Sequence, residues 1–134
     1  MAKLLLIRGL PGSGKTTYAK KFPALHLEAD MYFERDGKYS YNADLIKNAH
    51  AWCQRTVSDA LSQGLDVIVS NTFVKVWELS NYALIAKKHN AQLEIIEMRE
   101  VFSQAHDIPP EVIQRMKDQW EQFIIKDGLP VKQT

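Results

Sequence analysis

The sequence predicts an open parallel α/β sheet of about four strands with helices on both faces, built as one domain over residues 1–134. Three observations predict it. Short apolar, β-branched runs alternate with helically spaced apolar positions, the pattern of βαβ units. A glycine-rich segment directly follows the first apolar run, where such a unit turns from strand into helix. A length of 134 residues, with 46% apolar and 25% charged residues, suits one globular domain rather than a disordered or membrane chain.

Leu4 to Ile7 reads as the first strand. Arg8 and Gly9 stop it, and so short a run is neither a signal-peptide core nor a membrane span, so a cytoplasmic setting without a membrane is expected. Next, Gly9-Leu10-Pro11-Gly12-Ser13-Gly14-Lys15-Thr16 spells G-x-x-x-x-G-K-T and runs into Thr17-Tyr18-Ala19-Lys20. This is the spelling of a phosphate-binding loop. Its glycines permit positive φ, so backbone N–H groups curl around an anion, and a helix N-terminus adds partial positive charge behind them. Lys15 is expected to reach the β- and γ-phosphates of ATP, and the Thr16 hydroxyl to ligate Mg²⁺. Gly9 through Thr17 are thus candidate ATP-binding residues, and the predicted architecture is a P-loop NTPase fold.

Ala24 to Glu28 reads as a second strand, Leu65 to Ser70 as a third and Ala91 to Met98 as a fourth. Between the second and third, Asn42 caps a helix whose Leu45, Ile46, Ala49, Trp52, Cys53, Val57, Ala60 and Leu61 keep helical spacing until Gly64. A further helix runs from about Lys75 to His89, with Asn90 as its left-handed C-terminal residue. Pro109-Pro110-Glu111 opens a last helix, with Ile113, Met116, Trp120 and Phe123 on one face. From Lys126 onward a poorly ordered or loosely docked tail is expected.

The net charge is +1, so any nucleic-acid-binding face has to be local, and a long nucleic acid is not favoured. Cys53 is the only cysteine, which leaves no intrachain disulfide and suits a reducing compartment. Histidines 26, 50, 89 and 106 have no paired metal spacing and none is assigned as a ligand. Lys87-Lys88 near a helix end suits the helix dipole.

In open α/β sheets the ligand lies outside the carboxyl ends of the strands. That rule brings the phosphate loop, Ala29-Asp30-Met31-Tyr32-Phe33, Ser70-Asn71-Thr72-Phe73 and Arg99-Glu100 to one crevice. Asp30 there is a candidate general base for an acceptor hydroxyl. It could instead cap a short helix beginning at Met31, or hold Mg²⁺ through water. The acid that often completes the metal shell at the end of the third strand is missing, because Val69 is followed by Ser70 and Asn71; Asp66 lies at the far end of that strand. Asn71 contacts the acceptor or orients Asp30, or else caps the next turn.

Charge on the moving phosphoryl group calls for a cation beyond the lysine. Of five arginines, Arg55 falls on a polar helix face and Arg8 stands beside the loop in a structural role. Arg99 or Arg115 faces the crevice, with Arg115 preferred; its other reading is an ion pair with Glu111. Tyr32, Phe33, Tyr39 and Tyr41 form either a wall that stacks on the acceptor or, for one or two of the rings, part of the core.

Four blocks in order, Arg8 to Thr17, Glu28-Ala29-Asp30-Met31-Tyr32-Phe33, Val69-Ser70-Asn71-Thr72 and Pro110-Glu111-Val112-Ile113-Gln114-Arg115-Met116, resemble the polynucleotide-kinase-like group of P-loop kinases, to which the bacteriophage polynucleotide 5′-kinase and AAA-type ATP-binding domains are related. The resemblance covers Lys3 to about Phe123. It implies ATP with Mg²⁺ as donor and transfer to a hydroxyl, with Asp30 matching the catalytic aspartate and Arg115 the arginine of the helix after the lid. The chain departs from that pattern at Phe33, where the polynucleotide kinase carries an acceptor-phosphate arginine, and at Asn71, where it carries an acid. The lid is also short, Arg99 to Ile108, with Arg99 and His106 as its basic residues. A reduced lid expels water poorly, so slow transfer or leakage to ATP hydrolysis is expected. The expected function is an ATP-dependent kinase acting on a hydroxyl of a nucleoside, nucleotide, short nucleic acid or other small molecule; the other reading is an ATP-binding module or weak NTPase.

Overall fold

A computed structural model describes residues 1–101 and 108–133. Its elements in chain order are β1 (Lys3–Gly9), α1 (Lys15–Ala19), β2 (Leu25–Leu27), β3 (Glu34–Arg35), β4 (Lys38–Tyr39), α2 (Ile46–Ser62), β5 (Val67–Asn71), α3 (Val76–Lys88), β6 (Gln92–Met98), α4 (Pro110–Gln119), β7 (Phe123–Lys126) and β8 (Leu129–Lys132). Two 3₁₀ turns, Ala29–Phe33 and Ala43–Leu45, precede β3 and α2. The main sheet has the order β2-β5-β1-β6 and is parallel throughout. This is the open four-stranded sheet the sequence predicts.

Alternation along the central strands divides the core. Leu4, Leu6, Val67 and Val69 face Ala49, Cys53 and Val57 of α2 and Leu79, Tyr82 and Ala86 of α3. Ile7 and Ile68 point the other way, onto Ala19 of α1. One face is therefore thick and the other thin. Full burial of each Val, Leu or Ile contributes about 1.5–3 kcal/mol, so α2 and α3 supply most of the cohesion.

The local signals that end the helices act as expected. The Asn42 side chain accepts from the Asp44 N–H at 3.0 Å, although the turn it caps is the 3₁₀ lead-in to α2. Gly64 and Asn90 take φ of 81° and 54° after α2 and α3.

The C-terminal expectations need correction. α4 stops at Gln119, so Trp120 and Phe123 lie beyond it rather than on its apolar face, and no α4 residue is fully buried. The expected loose tail is an antiparallel hairpin, β7 with β8, turning at Asp127-Gly128 with φ of 54° and 80°. That pair of positive φ values is a type I′ turn, the geometry Asp-Gly favours. The hairpin docks on α3, where the Ser80 hydroxyl donates to the Pro130 carbonyl at 2.9 Å. Among the described residues no helix is long and apolar enough to cross a membrane.

Candidate functional site

The phosphate loop lies between β1 and α1. Gly12 and Gly14 have φ of 83° and 86°, and the buried Ser13 donates its N–H to the Leu10 carbonyl at 3.1 Å. Gly9 is required by packing: a Cβ there would stand 2.4 Å from Ser13 Oγ and 3.1 Å from the Met98 carbonyl. α1 has only five residues, so the loop's own N–H groups rather than a long helix dipole would meet an anion. Thr16 and Thr17 are exposed at its start.

Lys15 Nζ donates to the carbonyls of Gly9 and Leu10 at 2.8 and 3.0 Å. Burial pushes its pKa down to about 8, against the opposing charge of Glu28. The unfolded chain would hold this proton up to about 10.5, so the free protein gains stability as pH rises through that window. Anionic phosphates at the same ammonium would restore its charge. Nucleotide binding at about pH 9 should therefore take up protons, and more of them than at about pH 7, in calorimetry across buffers of different ionisation enthalpy. Lys15→Met should abolish that pH-dependent uptake together with tight binding.

Glu28 was not among the predicted site residues, yet it stands beside the loop. Its Oε1 accepts from Thr16 Oγ1 at 2.5 Å and from Ser70 Oγ at 3.0 Å, and lies 3.3 Å from His26 Nε2. His26 Nε2 is also 2.6 Å from Ser70 Oγ. Burial raises the Glu28 pKa, but hydrogen bonds from His26, Thr16 and Ser70 together outweigh it and hold the group below the ordinary carboxylate value. The Thr16 hydroxyl thus faces an anion. Hydroxyl, carboxylate and phosphate oxygens are the donors Mg²⁺ prefers, so the residues present fit that ion. Among the described residues no group of three or more His, Cys, Asp or Glu could hold a metal by itself.

Asp30 is exposed on the 3₁₀ turn that follows β2. Two contacts shape its surroundings. Asn71 Oδ1 accepts the Ala29 N–H at 3.0 Å, so the end of β5 fixes the turn one residue before Asp30. Tyr39 Oη donates to Asp30 Oδ1 at 2.6 Å from the β3–β4 hairpin, which turns at Asp36-Gly37. The aromatic stretch divides. Phe33 is buried and Tyr32 packs against the core, whereas Tyr39 and Tyr41 are exposed, both in edge contact with Phe33. Phe33 is thus a wedge under the turn rather than a wall for a ligand.

The arginines separate by burial. Arg8 is fully buried: Nε donates to the Phe73 carbonyl at 2.7 Å, and Nη2 to the carbonyls of Val74 at 3.0 Å and Glu121 at 2.5 Å. Its guanidinium stacks 4.0 Å from the Trp120 ring centre, and Trp120 in turn donates to Glu97 at 3.0 Å. Arg99 is exposed and 3.9 Å from Glu97. Arg115 is exposed on α4. Residues 102–107 of the expected lid, His106 included, lie outside the described residues.

A β-strand, a G-x-x-x-x-G-K-T loop and a helix in a parallel sheet of this order define a P-loop fold of the kinase-like kind. Residues 4–100 match the family model described as an AAA domain, and the chain belongs to that family. Among curated proteins it is similar to NEDD4-binding protein 2 of Homo sapiens, 28% identical over 136 residues that cover 90% of this chain and 8% of that protein. It is also similar to an uncharacterized protein of Pasteurella multocida (strain Pm70), 24% identical, covering 87% of this chain and 75% of that protein. Among solved structures it resembles a chain of the Pnkp1/Rnl/Hen1 RNA repair complex at 15% identity and TM-score 0.63, covering 99% of this chain and 49% of that one. It also resembles the Mycobacterium tuberculosis APS kinase CysC at 13% identity and TM-score 0.56, covering 88% of this chain and 96% of that one. Structural likeness at these identities shows the fold alone. The chain spans less than half the length of the RNA repair protein's chain and a small part of the human relative.

Proposed function

We propose that this domain is an ATP-dependent phosphotransferase that moves the γ-phosphoryl group of ATP to a hydroxyl of a nucleoside, nucleotide, short nucleic acid or other small molecule. The observation that carries the reading is the exposed Asp30, on a turn tied to the end of β5 and two residues after the Glu28 that contacts the phosphate loop. Gly9 through Thr17 hold the phosphates, and Lys15 balances charge on the transferring oxygens. Asp30 accepts the acceptor's hydroxyl proton as its oxygen bonds to phosphorus, and Arg115 brings a second cation from α4. Mg²⁺, which Thr16 would help to hold, supplies charge neutralisation on the phosphate oxygens when bound.

A relation to polynucleotide kinases is supported by the four sequence blocks. The buried Phe33, where that group carries an arginine, favours an acceptor without a phosphate to be gripped there. A second reading, an ATP-binding module or weak NTPase, is favoured by the absence of an acid at Ser70 and Asn71. Incubation with γ-labelled ATP and a panel of hydroxyl acceptors separates these. Label in an acceptor supports transfer, release of labelled phosphate alone supports hydrolysis, and binding without either supports the module.

On this reading the Tyr39 phenol steadies the base. Loss of one such hydrogen bond, of about 1 kcal/mol, corresponds to about a fivefold change. Tyr39→Phe should slow transfer by about that factor while ATP affinity, measured with a fluorescent analogue, stays unchanged.

A further inference from the structure

We infer that Glu28, the residue just after β2, supplies the metal-holding carboxylate that the end of β5 lacks. This rests on the phosphate-loop reading and deepens it. The register brings the two positions together. Leu27 pairs with Val69, so the next residues along, Glu28 and Ser70, come level at the carboxyl edge of adjacent parallel strands. Ser70 stands where an acid often completes the metal shell, and it donates to Glu28 at 3.0 Å. The acid has in effect moved one strand sideways.

Its surroundings distinguish it from an ordinary surface carboxylate. The Glu28 side chain is 21% exposed, and the three contacts described above fall on Oε1. One of them comes from Thr16, the hydroxyl a phosphate loop offers to a cation. A carboxylate this close to a triphosphate site repels the nucleotide unless a cation lies between them. Mg²⁺ typically binds one or two carboxylates together with phosphate oxygens and keeps its remaining waters. Glu28 therefore holds the cation directly or through one of those waters, and it makes nucleotide binding depend on the metal.

The test uses the full chain, Mn²⁺ as a spin probe in the presence of ADP, and a parallel titration of ATP in chelator. Glu28→Gln keeps an oxygen that can accept from Thr16 and removes only the charge. It should weaken Mn²⁺ by about 10–100-fold, while ATP binding without metal is unchanged or tighter. Adding Ser70→Asp to Glu28→Gln returns an acid to β5 and should recover much of the Mn²⁺ affinity. Were Glu28 only a structural anchor for Thr16, Glu28→Gln would bind Mn²⁺ as the wild type does, and the inference would be overturned. Equal loss of nucleotide binding with and without metal would overturn it too, since the charge would then not act through a cation. If the wild type bound no nucleotide at all, the phosphate-loop reading itself would fail, and this inference with it.

Discussion

Asp30→Asn is expected to lower phosphoryl transfer by about 10²–10⁴-fold and to leave ATP affinity nearly unchanged. The substitution preserves size and a carbonyl oxygen that can still accept from Tyr39, as Asp30 does at 2.6 Å. What it removes is the capacity to take a proton. Asp30 is exposed and belongs to a different turn from the G-x-x-x-x-G-K-T loop, so nucleotide binding is not expected to depend on it. The Asn71 contact to the Ala29 N–H remains, so the turn keeps its shape. Single-turnover transfer and fluorescent-nucleotide binding, measured on the same protein, read the two effects separately. Undiminished transfer would remove Asp30 as the base.

Arg8→Met is expected to destabilise the protein by about 3–5 kcal/mol, a large share of the 5–15 kcal/mol that typically separates folded from unfolded chains. The Arg8 side chain ties the end of β1 to the segment after β5 and to the segment after α4, through the carbonyls of Phe73, Val74 and Glu121. Methionine fills most of the volume but leaves the Phe73 and Glu121 carbonyls without the guanidinium, the Val74 carbonyl with only the Glu121 N–H, and Glu97 without its buried counter-charge. Glu121 holds the same junction from the other side: its carboxylate accepts the Val76 N–H at 2.9 Å, at the start of α3, and its backbone N–H donates to the Val74 carbonyl at 3.0 Å. Urea denaturation should show an earlier midpoint with an unchanged slope. A loss below about 1 kcal/mol would mean that hydrophobic packing of the hairpin, not the guanidinium, holds the C-terminal segment.

The sheet was legible because its central strands β1 and β5 are apolar runs with no competing helical period. The phosphate loop was legible because its residue types are dictated by backbone geometry and charge. Failure came where local pattern and tertiary context diverge. Ile113, Met116, Trp120 and Phe123 continue a helical spacing straight past the end of α4, and no glycine or proline marks the stop at Trp120. Asp127-Gly128 was a usable hairpin signal. It was masked by the exposed pair Ile124 and Ile125, which breaks the inside–outside alternation of a strand, and by Pro130, a residue strands admit mainly at edges. Glu28 escaped for a boundary reason. Read as the last residue of a strand from Ala24, it stayed inside the sheet, whereas β2 ends at Leu27 and releases Glu28 into the crevice. The anchoring of Arg8 by residues more than 60 positions away leaves no local trace.

The most direct test of a phosphotransferase built on this loop is a crystal structure with Mg²⁺ and a non-hydrolysable ATP analogue. The expected result has the γ-phosphate on Lys15 Nζ, the metal at Thr16, and the Asp30 carboxylate facing the γ-phosphate across a gap that admits an acceptor hydroxyl. A nucleotide bound away from Gly9 to Thr17, or an Asp30 turned from the γ-phosphate beyond the reach of an intervening hydroxyl, would contradict it.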